Sequence, residues 1–212
     1  MDTSRSPVGR FLHDNGLSLA LFGLFIVCLA GQAATGLRAY NAAQGAAHLS
    51  RIDLAAYLCT GNFLDGVFSN WQAAVLQLAV LITFGAVLRQ KGATHSRQPD
   101  DDGDPGTNGR SWAYAHSLSL AFVVLFVLTF AAHLVFGWWK YNEDDALQHL
   151  PAIGLVQYAG SPAFWFSAFQ CWEAEFFAIG IYVLFSIFLR QEASPESKPV
   201  GASDGQTGGP NE

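Results

Sequence analysis

Long uncharged stretches alternate along this chain with short segments that hold nearly all of its Asp, Glu, Lys and Arg. Leu17 to Leu37, Gly66 to Leu88 and Ser117 to Trp139 are three such stretches. Each is about 20 residues long, the length that a hydrocarbon core of about 30 Å demands at a rise of 1.5 Å per residue. A fourth, Phe164 to Leu189, is interrupted by Glu173 and Glu175 and runs clean from Phe176 onward. The pattern predicts four transmembrane helices, at about 17–37, 66–88, 117–139 and 164–189, with the two carboxylates of the last near one interface. Helix is the only open-ended choice, because a lone strand in lipid leaves its N–H and C=O groups unpaired.

The chain also repeats. Shifted by 101 residues, its two halves align without a gap, and such repeats take precedence over other readings. Leu17 to Ala20 (LSLA) recurs at Leu118 to Ala121, and Gly36, Tyr40 and Asn41 return as Gly137, Tyr141 and Asn142. Phe68 and Trp71 match Phe169 and Trp172, and Leu88, Arg89 and Gln90 match Leu189, Arg190 and Gln191. The first apolar run, preceded by Arg5 and Arg10, also has the look of a cleaved signal peptide. Its internal counterpart cannot be one, so the first run is expected to be retained. Each copy crosses twice, so both copies face the same way and a pseudo-twofold axis lies along the membrane normal. The expected layout is a first repeat over 1–91, a flexible acidic linker over 92–112, a second repeat over 113–192 and a disordered tail over 193–212.

Composition supports this layout and narrows it. Only 13% of residues are charged, against about 25% in a soluble domain. The net charge of −6 and the scattering of 11 basic residues exclude a nucleic-acid surface. Arg5, Arg10, Arg89, Lys91, Arg97, Arg110, Arg190 and Lys198 fall on the side of the termini and linker, and only Arg38, Arg51 and Lys140 fall opposite. The positive-inside rule then places both termini in the cytoplasm and gathers Trp71, Trp138, Trp139, Trp165 and Trp172 into an aromatic belt at the outer interface. Linker and tail are too polar to bury surface and order themselves. The outer loops, with Leu54, Tyr57, Leu155 and Tyr158, are expected to carry short amphipathic helices on the membrane surface. Small residues four apart, Ala30 with Ala34 and Gly31 with Thr35, favour close helix packing and oligomerisation through the first span.

Few polar groups lie in the spans. His133 stands in the third and Gln32 at its equivalent in the first; Glu173 matches Gln72, whereas Glu175 matches Ala74. An ionisable residue within a span is a functional-site hypothesis by default. Two readings stand: His133 as interhelical glue with Gln32 or Glu175, or a His133 and Glu175 pair lining an outward-facing pocket for a proton or small cation. Candidate polar residues are therefore His133, Glu175, Glu173, Gln32 and Gln72, with no catalytic, metal or cofactor residues assigned. Haem needs axial histidines at matched depth on two helices, and His133 has no such partner. A disulfide-forming enzyme needs outward cysteine pairs, where only Cys59 and Cys171 are placed to form one structural bridge. HExxH and phosphate-cradling loops are absent from the sequence, and its one GxSxG match, Gly201 to Gly205, falls in the polar tail rather than at a strand-to-helix turn, so an enzyme has no metal or nucleophile elbow to rest on.

NGLSLA and HSLSLA, the YN after each odd helix, FSNW and FQCW, and the two LRQ segments with SPESKPV near the tail together resemble an uncharacterised bacterial family of duplicated four-helix membrane proteins, a domain of unknown function. The resemblance implies a bacterial inner-membrane location and no activity. Ala74, at the place of Glu175, departs from the pattern. The expected protein is thus all-α, two helix hairpins forming a four-helix bundle. Its expected role is structural or assembly in the envelope, with a small transporter or channel second and a membrane enzyme third. Its expected partners are the bilayer and either a second copy or other membrane proteins.

Overall fold

The computed structural model describes residues 6–96 and 109–208. Among them regular structure is entirely helical: α1 (Pro7–Asp14), α2 (Gly16–Ala46), α3 (Leu54–Leu58), α4 (Gly61–Val87), α5 (Trp112–Ala115), α6 (Ser117–Leu147), α7 (Leu155–Ala159) and α8 (Pro162–Phe188). α2, α4, α6 and α8 are long and apolar enough to cross a membrane.

Three of these helices overrun the uncharged stretches that announced them. α2 continues past Leu37 to Ala46, α6 passes Trp139 to reach Leu147, and α4 begins at Gly61, ahead of Gly66. An uncharged run measures the width of the lipid, whereas a helix continues until its backbone meets a stop. The stop is the same for α2 and α6. His48 and His149 take positive φ, 59° and 58°. The next amide then reaches back, Leu49 N–H to the Gln44 carbonyl at 2.8 Å and Leu150 N–H to the Asp145 carbonyl at 2.9 Å. This closure satisfies carbonyls that the helix end would orphan.

After the stop, one asparagine pins each loop. The Asn41 side chain donates to the Ile52 carbonyl at 2.9 Å and accepts from the Ile52 N–H at 2.8 Å; Asn142 does the same with Ile153 at 3.1 and 2.9 Å. A carboxamide carries both donor and acceptor, and this is what the repeated YN pair supplies. The short helices expected in the two loops are present as α3 and α7. They turn Tyr57 and Tyr158 into the bundle, at 3% and 5% exposure, because Gly36 and Gly137 leave room for the phenols.

The bundle is built around α4. It runs antiparallel to α6, with Gly61 against the backbone of Trp139 and Lys140 and Phe68 stacked on Phe136 at 5.2 Å. It runs parallel to α8, where the Trp172 indole donates to Gln72 at 2.8 Å and the Gln77 amide to the Glu175 carbonyl at 2.9 Å. α2 leans on α4 through Phe25 and Trp71, at 5.8 Å, and through a small core of Tyr57, Phe63 and Val67. No α2 residue is buried, so nearly the whole helix faces outward. The indoles of Trp138 and Trp165 donate to the Ile153 and Ala159 carbonyls, which ties the expected aromatic belt to the loops as well.

Residues 97–108, which hold most of the expected linker, and the last four residues of the tail lie outside the described residues. The rest of the tail, expected to be disordered, is folded. Lys198 is 1% exposed and its ammonium donates to the carbonyls of Gly92, Ser203, Asp204 and Gln206 at 2.8 to 3.3 Å. Thr207 accepts from Gly92 N–H, and Gly208 N–H donates to Ala93. Composition argued from apolar burial alone; here one charge organises backbone carbonyls instead. Burial pushes the Lys198 pKa down from its ordinary value.

Candidate functional site

The polar group at the heart of the bundle is His133, fully buried where α4, α6 and α8 meet. Its position follows from the seam between α4 and α6. Gly61 and Gly137 have no side chain, so the two helices approach until a Cβ at residue 61 would lie 2.4 Å from Lys140 N, and one at residue 137 would lie 2.9 Å from Asp65 Oδ1. That approach carries Asp65, one turn into α4, down beside the imidazole. Nε2 of His133 lies 3.6 Å from Asp65 Oδ1 and 3.3 Å from Ser167 Oγ on α8. Lys140, two turns along α6 toward the loops, brings its ammonium to 3.4 Å from Asp65 Oδ2. Phe164 and Phe130 wall the imidazole, with ring centroids 5.3 and 6.5 Å away.

Glu143 fixes the same seam from above. Its two carboxylate oxygens accept from the N–H groups of Gly61 and Asn62, at 3.2 and 3.3 Å, while Thr60 accepts from Phe63 N–H at 3.3 Å. The first turn of α4 is therefore capped partly by its own residue and partly by a carboxylate from α6, and negative charge there also meets the positive end of the helix dipole. Tyr158 closes the pocket from the loop side. Burial, then the charge of Asp65 and the neighbouring Tyr141, push its phenol up to about 12.

Chemically the cluster is a carboxylate and an imidazole sharing a buried site, with an ammonium at its mouth. Nε2 is the nitrogen with acceptors in reach, so a proton placed there is the one the site uses. Among the described residues, Asp65 Oδ1 and His133 Nδ1 find no hydrogen-bond partner despite their burial. Among the described residues, no group of three or more His, Cys, Asp and Glu side chains is arranged to hold a metal.

The other residues singled out from sequence disperse. Gln32 is exposed on α2, its amide lying over Gly66, where a Cβ would meet Nε2 at 3.1 Å. Gln72 is fully buried and occupied by Trp172 and the Ser69 carbonyl. Glu173 is exposed beside a surface cleft with Trp172, and the half-buried Glu175 offers α4 its backbone carbonyl. Among the described residues no hydrogen bond or ion pair joins His133 to Glu175 or Gln32. Cys59 and Cys171 are free thiols.

Asp65 is the residue that sequence reasoning passed over, since it sits just before the uncharged stretch beginning at Gly66. The repeat held a signal: its counterpart is Phe166, and the counterparts of Lys140 and Glu143 are Ala39 and Ala42. At each of these three positions an apolar residue in one half stands where the other half has a charge.

Four helices of spanning length, with a polar cluster set between three of them, define an integral, multi-pass membrane protein. The chain matches over residues 8–209, and belongs to, the family described as "Domain of unknown function (DUF6766)". No curated protein and no solved structure matches it.

Proposed function

We infer that this is a bacterial inner-membrane protein with a structural or assembly role in the envelope. The observation that carries the reading is how the intramembrane polar groups are used. Gln72 with Trp172, Gln77 with Glu175, Asp65 with Lys140, and Glu143 with Gly61 and Asn62 each bond the first half of the chain to the second. Side chains used in this way hold helices in register. The uncovered α2, with Ala30, Gly31, Ala34 and Thr35 along it, is the face offered to a second copy or another membrane protein.

The two halves are tandem copies related by a pseudo-twofold along the membrane normal. In support, α2 and α6 are 31 residues each, α3 and α7 are 5, and α4 and α8 are 27. Equivalent bonds recur as well, Asn41 to Ile52 with Asn142 to Ile153, and Gln90 to Ser96 with Gln191 to Ser197. The excess of Lys and Arg at the terminal end puts both termini in the cytoplasm.

A small transporter is the second reading. Its support is the pair of buried polar atoms, Asp65 Oδ1 and His133 Nδ1, that no hydrogen bond among the described residues satisfies. One purification in native-like lipid, followed by mass measurement and by flux assays in proteoliposomes, separates the two. An assembly larger than one chain, with no proton or cation flux, supports the structural role. Flux that disappears in His133→Ala, in protein that still inserts, overturns it in favour of transport.

A further inference from the structure

At the terminal end, α4 and α8 diverge around a groove of about 690 Å³. Its walls are apolar, with Val80 and Phe84 from α4 and Phe176 and Ile179 from α8, and polar residues gather at one end only, where Arg89 and His95 line the rim. The groove is open along its side, Phe84 and Leu88 being 54% and 58% exposed. From Val80 to Leu88 it extends about 12 Å along the helix.

The rim carries a guanidinium, that of Arg89. Nε2 of His95 lies 2.9 Å from Oε2 of Glu196, and both groups bond the Tyr182 hydroxyl. Arg89 has no such carboxylate contact. Its Nη1 donates to the Ala86 and Leu88 carbonyls, both at 3.3 Å, and among the described residues no carboxylate pairs with it. The corresponding arginine of the second half makes the contrast. Arg190 uses Nη1 in the same way on Ile187 and Leu189, and then spends Nη2 on Asp204 at 3.0 Å. In the first half no acceptor among the described residues takes that second nitrogen, which stands at the end of an apolar groove in a spanning bundle.

We propose that the groove between α4 and α8 binds an anionic phospholipid, one acyl chain lying along Phe84 and Phe176 and the phosphate held by Arg89. A single polar end, apolar walls and an opening to the side match an amphiphile arriving from the bilayer. An unneutralised guanidinium selects for negative charge on its head, since its forked donors fit phosphate oxygens and basic pockets between spanning helices hold anionic headgroups. Gly180 borders open space in the groove, since a Cβ there would meet nothing within 4 Å.

The full-length chain in nanodiscs of phosphatidylglycerol and phosphatidylcholine, extracted into mild detergent and weighed by native mass spectrometry, tests this. Wild type should retain phosphatidylglycerol in preference to phosphatidylcholine, and Arg89→Gln should lower that retention about tenfold, the size of a lost charge-assisted contact. Gly180→Leu fills the groove without touching the rim and should also release the lipid, while circular dichroism confirms that both variants fold. Equal retention of the two lipids by wild type, or undiminished phosphatidylglycerol in either folded variant, overturns the proposal.

Discussion

Replacing Gly61 by alanine should drive α4 away from α6. The added Cβ would stand 2.4 Å from Lys140 N, 2.8 Å from the Trp139 carbonyl carbon and 2.9 Å from Lys140 Cα. All three are backbone atoms inside a continuous helix, so no change of rotamer relieves them. Non-bonded carbon contacts are optimal at about 3.5 to 4.0 Å, so the seam must open by roughly 1 Å. Three links lie across it: Glu143 to the N–H groups of Gly61 and Asn62 at 3.2 and 3.3 Å, and Lys140 to Asp65 at 3.4 Å. Each already stands at the long end of its range, and such an opening breaks them. Overpacking costs about 1 to 3 kcal/mol and a lost bond to a charged group about 1.5 to 3, which with partial relaxation sums to about 3 to 5 kcal/mol. Gly23→Ala is the matched control. Nothing lies within 4 Å of a Cβ there, so the same chemical change should gain about 0.5 to 1 kcal/mol of helix propensity. Unfolding midpoints in a mild detergent, followed by far-ultraviolet circular dichroism, should move in opposite directions. A Gly61→Ala protein as stable as wild type would refute the close backbone seam and the placement of Asp65 beside His133 that depends on it.

Three further outcomes follow from the same geometry. The Tyr158 phenol ionises at about 12 folded against 10.0 as the ordinary value, so its stabilisation is whole below pH 10 and is lost as pH rises toward 12. That loss is on the order of 2 to 3 kcal/mol, and Tyr158→Phe should lack it; parallel stability profiles for the two proteins would count against the burial. His149→Gly relieves a positive φ of 58° at the end of α6 and should raise the midpoint by an amount worth about 1 kcal/mol, where a lower midpoint would contradict the capping role. Lys198→Met removes the charge that gathers four carbonyls, so tail cleavage by a dilute protease should speed up about tenfold or more. Unchanged cleavage would mean that something else holds the tail.

What the sequence determined by itself was everything governed by solvent and by local backbone chemistry. Three runs without charge, and a fourth broken only by Glu173 and Glu175, had to be spanning helices because lipid leaves an unpaired backbone no alternative, and the YN pair ahead of each loop was visible as a repeated signal before its hydrogen bonds to Ile52 and Ile153 explained it. The tertiary structure alone decided which polar groups meet. His133 was found from its place in a span, but its partner Asp65 belongs to another helix and reaches it only because two glycines let backbones touch. Glu175, at similar depth in the chain's arithmetic, was brought to Gln77 instead. Likewise the tail offered composition no apolar surface to bury, and its order comes from one lysine finding four carbonyls supplied by residues as distant as Gly92 and Gln206. Periodicity records the medium each residue faces, whereas contacts between helices depend on rotations and close approaches that a linear pattern does not encode.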